Sequence, residues 1–383
     1  MKAINTLILH LILLVLTAYL SSCSSGQKAF EQGNYYDAVL KAVSRLRANT
    51  DQEKAQEALQ NAYPLAIKSL EEAIQNTQMG NELFKWDKVV SYYNQINYLY
   101  QQIQSSPGAL KVIPNPFNPV NELLNARQNA AMEYFKAAEN AIASGNREGA
   151  RQAYRYFLKT KEFNAQFRDI DQKIRDAKDQ GTLRVMIEPI PNPNNSREIS
   201  AGFLQQKLLN YIHTNSIHEF VKFYSPVEAN NTPYPMDHVL RMQFADLKLS
   251  EANHYERVED ISKDSVQVGT VKVGEEEKPI FETVKAKLKT LRKEIQTSGI
   301  LQVEVLDPIR QELIYHQDFQ NQSIWSSEWG ICEGDKRALT NAQLQLIQKK
   351  EEPSPRPQKL FEDFSQVVFQ QLTPWLSNYY RNL

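Results

Sequence analysis

Gly181-Thr182-Leu183-Arg184-Val185-Met186-Ile187 is where the sequence changes its period. Upstream, Tyr92, Ile96, Leu99, Tyr100 and Ile103 recur at three- and four-residue steps, as apolar residues do on one face of a helix. From Leu183 onward, apolar residues alternate with others, as they do along a strand. Gly181 lies where a helix would be capped at its C-terminus. The switch predicts an α+β multidomain protein, with helical hairpins over residues 23–181 and an α+β domain over residues 182–383.

Working downstream, Pro189 to Asn195 reads as a loop, and Phe203, Leu204, Leu208, Leu209 and Ile212 mark a helix. Strands are expected at Phe220 to Tyr224 and Val239 to Leu249. Val284, Ala286, Leu288 and Thr290 then oppose Lys285, Lys287 and Lys289, so the lysines read as the water-facing side of a half-buried strand. Thr297-Ser298-Gly299 reads as a hairpin turn into Ile300 to Leu306, and Asp307-Pro308 as a break before Glu312 to Phe319. The expected sheet is mainly antiparallel. A closing C-terminal helix, Phe361 to Tyr380, would cover it, with Pro374 kinking or ending that helix. The strand-helix order with long amphipathic hairpins is similar to the periplasmic domain of curli-type secretion lipoproteins, although no specific motif carries that resemblance.

Upstream, Gly26-Gln27-Lys28-Ala29-Phe30-Glu31-Gln32-Gly33-Asn34-Tyr35-Tyr36-Asp37-Ala38 resembles the middle of a tetratricopeptide repeat. Small residues there let two helices approach, and Gly-Asn turns the chain. A second match runs through Ala137, Gly145-Asn146, Ala150, Tyr154 and Phe157. The repeat proline is missing from both, and the period breaks down between them, so the region reads as repeat-like hairpins and not a regular array. Pro107-Gly108 with Pro114, Pro116 and Pro119 reads as a rigid loop, followed by helices at Asn121 to Gly145 and Asn164 to Gln180. The resemblance implies a groove between helices that holds a partner, with Asn34, Tyr35, Tyr36 and Tyr154 as its candidate lining.

At the amino terminus, Met1-Lys2 precedes a nearly unbroken aliphatic run from Leu7 to Leu16. That run is too short to anchor a membrane span but fits a signal peptide over residues 1–22. Leu20-Ser21-Ser22-Cys23 resembles a bacterial lipobox, which implies a diacylglyceryl thioether on Cys23, cleavage before it and N-acylation of the new terminus. Several acyl chains on one residue exceed what stable anchoring needs. Ser24 is not the aspartate that retains lipoproteins in the inner membrane, and no acidic cluster follows closely. The resemblance therefore implies the outer membrane, on the side facing the periplasm.

Composition narrows the function classes. Removing residues 1–22 takes away one charge, Lys2, so the formal net charge of −1 becomes −2. That balance, without a basic tract, gives no electrostatic reason for nucleic-acid binding. With Cys23 lipidated, Cys332 has no partner within the chain. Glycine is scarce, at 13 residues, and no phosphate-cradling loop is present. His213 and His218 lack the spacing of a zinc helix, and Asp237-His238 stands alone as an acid-imidazole pair. No serine nucleophile is framed by its motif, so no catalytic residue, metal or cofactor is expected.

The one unusual local stretch runs from Trp325 to Arg337. Trp325 and Trp329 beside Asp335 and Arg337 are candidates for a ligand loop, or for a structural lid whose indoles fill a gap under the sheet. The sequence as a whole points to a non-enzymatic envelope scaffold or adaptor with a protein partner. A lipoprotein that binds envelope polymer or another ligand, or a component of a curli-type secretion assembly, is the alternative.

Overall fold

The computed structural model describes residues 26–273 and 275–382; Cys23 and the signal-peptide segment lie outside them. The protein is an α+β multidomain chain that divides into two compact units, one ending at Gly181 and one beginning at Thr182.

The first unit is helical: α1 (Gln27–Glu31), α2 (Tyr35–Ala48), α3 (Glu53–Met79), α4 (Lys85–Gln104), α5 (Pro107–Val112), α6 (Val120–Ile142), α7 (Arg147–Phe163) and α8 (Ile170–Gly181). Two Gly-Asn pairs turn the chain for the same reason. Gly33 and Gly145 take positive φ values of 75° and 69°, which side chains disfavour, and the next residue caps the following helix. Asn34 Oδ1 accepts from the Asp37 amide at 3.2 Å, and Asn146 Oδ1 from the Gly149 amide at 2.7 Å. Alanines form the seam between α2 and α3, where Ala38, Ala42, Ala55, Ala58, Ala62 and Ala66 are buried together with Leu46 and Leu59. Small side chains there let the helix axes approach closely.

Two helical expectations are corrected. Pro107-Gly108 opens α5 instead of a loop, because proline at the first helical position has no amide to lose and Ser106 Oγ accepts from the Ala109 amide. The helix expected from Asn164 begins only at Ile170, since Asn164 to Asp169 forms a turn with Arg168 at φ 46°.

The second unit contains β1 (Leu183–Ile187), α9 (Gly202–Thr214), β2 (Val221–Tyr224), α10 (Pro226–Asn231), β3 (His238–Leu249), β4 (Asn253–Val273), β5 (Glu276–Asp307), β6 (Glu312–Gly334), α11 (Asn341–Leu346) and α12 (Pro357–Arg381). The sheet is mixed rather than mainly antiparallel. β1 lies parallel between β2 and β3, as a strand-helix-strand crossover through α9 requires. The rest is an antiparallel meander in which β3 and β4 follow one another along one side of β5, and β6 takes the other. Leu240, Met242, Phe244, Leu301, Val303, Val305 and Phe319 meet Phe361, Phe364, Val368, Leu372 and Leu376 of α12 in one core.

Thr297-Ser298-Gly299 is not a turn. β5 runs straight through it for 32 residues, and Gly299 is packed so closely that a Cβ would sit 3.3 Å from both Leu247 and Phe364. The lysine row does face water. Val284, Ala286 and Leu288 on the other side are buried beneath Ala338, Leu339, Leu344 and Ile347, while Lys289 pairs with Glu256 at 2.8 Å. α12 continues through Pro374, and the Thr373 hydroxyl donates to the Phe369 carbonyl beside it.

Candidate functional site

The residues proposed from the sequence do not converge. Asn34 is used as a cap, and its Nδ2 donates to Asp37 Oδ2 at 2.8 Å. Tyr35 packs on Phe30 with ring centroids 5.6 Å apart, and Tyr36 is half-buried among the apolar residues around α2. Tyr154 belongs to another cluster, around α6 to α8, with Lys178 Nζ over its ring.

The Trp325–Arg337 segment is not a loop. Trp325 and Trp329 lie within β6, four residues apart and so on one face. Asp335 caps a short 3-10 turn, and Arg337 donates to its carboxylate and, through Nη1, to the Gln267 carbonyl at 2.8 Å. The Arg337 contact holds the Asp335 carboxyl down to about 2. Both charged groups are thereby engaged in fixing the turn.

A concave surface instead forms in the first unit, between α6 and α7. It has a volume of about 550 Å3 and is lined by Leu83, Glu133, Lys136, Ala137, Asn140, Ala141, Gln152 and Tyr156. Ala137 belongs to the second repeat-like match, and the small side chains there and at Ala141 leave room between the helices. One wall is the connection between α3 and α4. Phe84 takes a left-handed conformation, φ 59°, which a bulky residue adopts only when its surroundings enforce it.

Those surroundings are specific. The Glu133 carboxylate of α6 accepts from the Phe84 amide at 3.0 Å and the Trp86 amide at 3.3 Å, capping α4 from another helix. The Phe84 ring stacks on Tyr134 at 4.1 Å, and Tyr156 and Tyr134 lie 6.0 Å apart. Tyr134 donates to Asp87 Oδ2 at 3.0 Å. Burial first, and then this hydrogen bond, hold its phenol far above the ordinary value. Lys85 Nζ closes the end of α3 by donating to the Gln78 carbonyl at 2.7 Å, and Lys88 pairs with Glu82.

This clamped connection presents an apolar side chain to solvent. Leu83 is 70% exposed on the groove wall, and Met79, at the end of α3, is 80% exposed. The sequence held one signal for this site: two large apolar residues flanking Gly80-Asn81-Glu82, where a polar loop is the norm. Among the described residues no group of His, Cys, Asp or Glu could hold a metal ion, and no helix is long and apolar enough to cross a membrane.

No family model and no curated protein matches the chain. A structural likeness is found to a neuraminyllactose-binding hemagglutinin homolog from Helicobacter pylori, at 15% identity and a TM-score of 0.23. It covers 52% of this chain and 88% of that one.

Proposed function

We propose that this chain is a lipoprotein anchored through Cys23 to the outer membrane, facing the periplasm, and that it works as a non-enzymatic scaffold. A partner protein docks in the groove between α6 and α7. The observation that carries this reading is the apolar Leu83, held in solvent by a strained and multiply clamped connection beside Tyr156. Ordering such a wall before binding lowers the entropic cost of docking a helix or extended peptide. Leu83 and Tyr156 serve as apolar anchors, and Lys136, Asn140 and Gln152 supply polar contacts at the rim. The lipid confines scaffold and partner to one surface and raises their effective concentration.

The test is a crosslinking pull-down from whole envelopes with wild-type, Leu83→Asp and Cys23→Ala proteins. A discrete protein recovered with wild type, lost with Leu83→Asp and reduced with Cys23→Ala, is the expected result. Equal recovery with Leu83→Asp overturns the groove as the docking site.

A further inference from the structure

Where β3, β5 and β6 run side by side, Leu301, Val303 and Val305 point into the core under α12, so the residues between them form the opposite face. Polar side chains on that face mostly pair with one another. Arg241 meets Glu188 at 2.7 Å, Gln243 Nε2 donates to Gln302 Oε1 at 3.1 Å, and His316 Nε2 meets Asp318 at 2.9 Å. The exception is a concavity of about 500 Å3 lined by Asp246, Lys248, Ser298, Ile300, Gln320 and Gln322. There the Asp246 carboxylate, the Lys248 ammonium, the Ser298 hydroxyl and the Gln320 carboxamide have no side-chain hydrogen bond or ion pair among the described residues. Gln296 donates to Gln322 Oε1 at 3.1 Å, which leaves the Gln322 amide hydrogens unspent.

The concavity is shaped by a bulge. β3 and β5 pair Ala245 with Ile300 and then Lys248 with Ser298, so β3 carries one extra residue between the two pairs. Leu247 turns into the core, and Asp246 takes up the excess at φ 51°. Bulges re-aim a side chain in this way. This one is braced from outside the sheet, because Asn194 Nδ2 donates to the Leu247 carbonyl at 2.9 Å. The registers then set Lys248, Ser298 and Gln322 in one row across the three strands, and Ala245, Ile300 and Gln320 in the next. With strands roughly 4.8 Å apart, each row is about 10 Å wide.

We infer that this concavity is a binding site for an uncharged saccharide. Its side chains disfavour the other ligand classes. Asp246 repels an anion and Lys248 repels a cation, each at close range. An apolar ligand would strip water from polar groups that have no other partner. A sugar hydroxyl both donates and accepts. It can therefore meet the acceptor-only Asp246, the donor-only Lys248, and the serine and glutamine groups that supply both. Ile300 gives the C–H face of a sugar ring an apolar floor between those polar groups. A small zwitterion such as a free amino acid could use Asp246 and Lys248, but it would leave Gln320 and Gln322 unused. Because Asn194 and Leu247 fix the bulge before any ligand arrives, binding carries little ordering cost for Asp246.

The test is calorimetric titration of the full-length protein in detergent with maltotriose, cellotriose, mannotriose and N-acetylated chitotriose. Glutamine and citrate serve as the zwitterionic and anionic probes. At least one of the neutral sugars should bind saturably, and Gln320→Ala and Asp246→Gly should each weaken it at least about tenfold in Kd. Asp246→Gly removes the carboxylate but keeps a residue at ease with positive φ, so the melting temperature should not fall. Gln243→Ala, on the same face outside the concavity, should leave binding unchanged. Saturable binding by none of the sugars, binding unaltered in both concavity variants, or saturation by glutamine or citrate in place of sugar each overturns the assignment.

Discussion

The two units bury their apolar residues in opposite styles. The helical unit spreads its core over three clusters, two of them rich in alanine: Ala38, Ala42, Ala62 and Ala66 around α2 and α3, and Ala131, Ala138, Ala153 and Ala177 around α6 to α8. The second unit concentrates its core between one sheet face and α9 with α12, using Phe361, Phe364, Phe244 and Tyr380. Close-packed alanine seams fix helix spacing and leave grooves at their margins. A sheet-helix layer of large side chains gains its stability from buried area. The groove between α6 and α7 lies at the margin of such a seam.

Truncation should be most damaging in the second unit. Phe361→Ala removes a fully buried ring and should cost about 3–5 kcal/mol. Hydrogen exchange should show the lost protection within residues 182–382; an equal loss within residues 26–181 would break the contrast. Enlargement should be more damaging in the first. Ala62→Leu forces a larger side chain into a fully buried seam and should cost about 1–3 kcal/mol in a denaturant melt. A neutral outcome would mean the seams are loosely packed.

Glu133→Ala should cost about 1–2 kcal/mol by uncapping α4, with exchange quickened at the Phe84 and Trp86 amides. The two buried phenols provide a contrast of opposite sign. Tyr134→Phe loses a hydrogen bond to a carboxylate and should destabilise by about 1 kcal/mol. The Tyr380 hydroxyl is fully buried with no hydrogen-bond partner among the described residues, so Tyr380→Phe should be neutral or stabilise by up to about 1 kcal/mol. Both phenols are held above the ordinary 10.0, so the native state keeps protons that the unfolded chain gives up. Their contribution is whole below about pH 10 and is lost as the pH rises. Either Phe variant should therefore show a shallower alkaline loss of stability than wild type.

Much of the fold was legible because period and turn chemistry are local. The change at Thr182, the Gly-Asn turns and the outward lysines of β5 all follow from residues close in sequence. β4 was missed because it has almost no buried face: from Asn253 to Val273 nearly every residue is exposed or half-exposed, so apolar alternation is absent. Thr297-Ser298-Gly299 misled because β5 is far longer than an ordinary strand, and its glycine answers to the approach of Phe364. The tryptophans were read as a loop for a related reason, since β6 continues well past Phe319 with few charges or breaks. The groove was illegible because Leu83, Glu133 and Tyr156 come from three separated segments, and only tertiary capping of Phe84 by Glu133 brings them to one wall.

The central claim is that a protein partner occupies the groove between α6 and α7. It is tested most directly by placing a photo-crosslinking amino acid at position 83 in the lipid-anchored protein, with the same group at Trp329 for comparison. Irradiation of intact envelopes should yield a discrete protein adduct from position 83 and none from position 329. Adducts only from position 329, or sugar polymer in place of protein at position 83, would contradict the account.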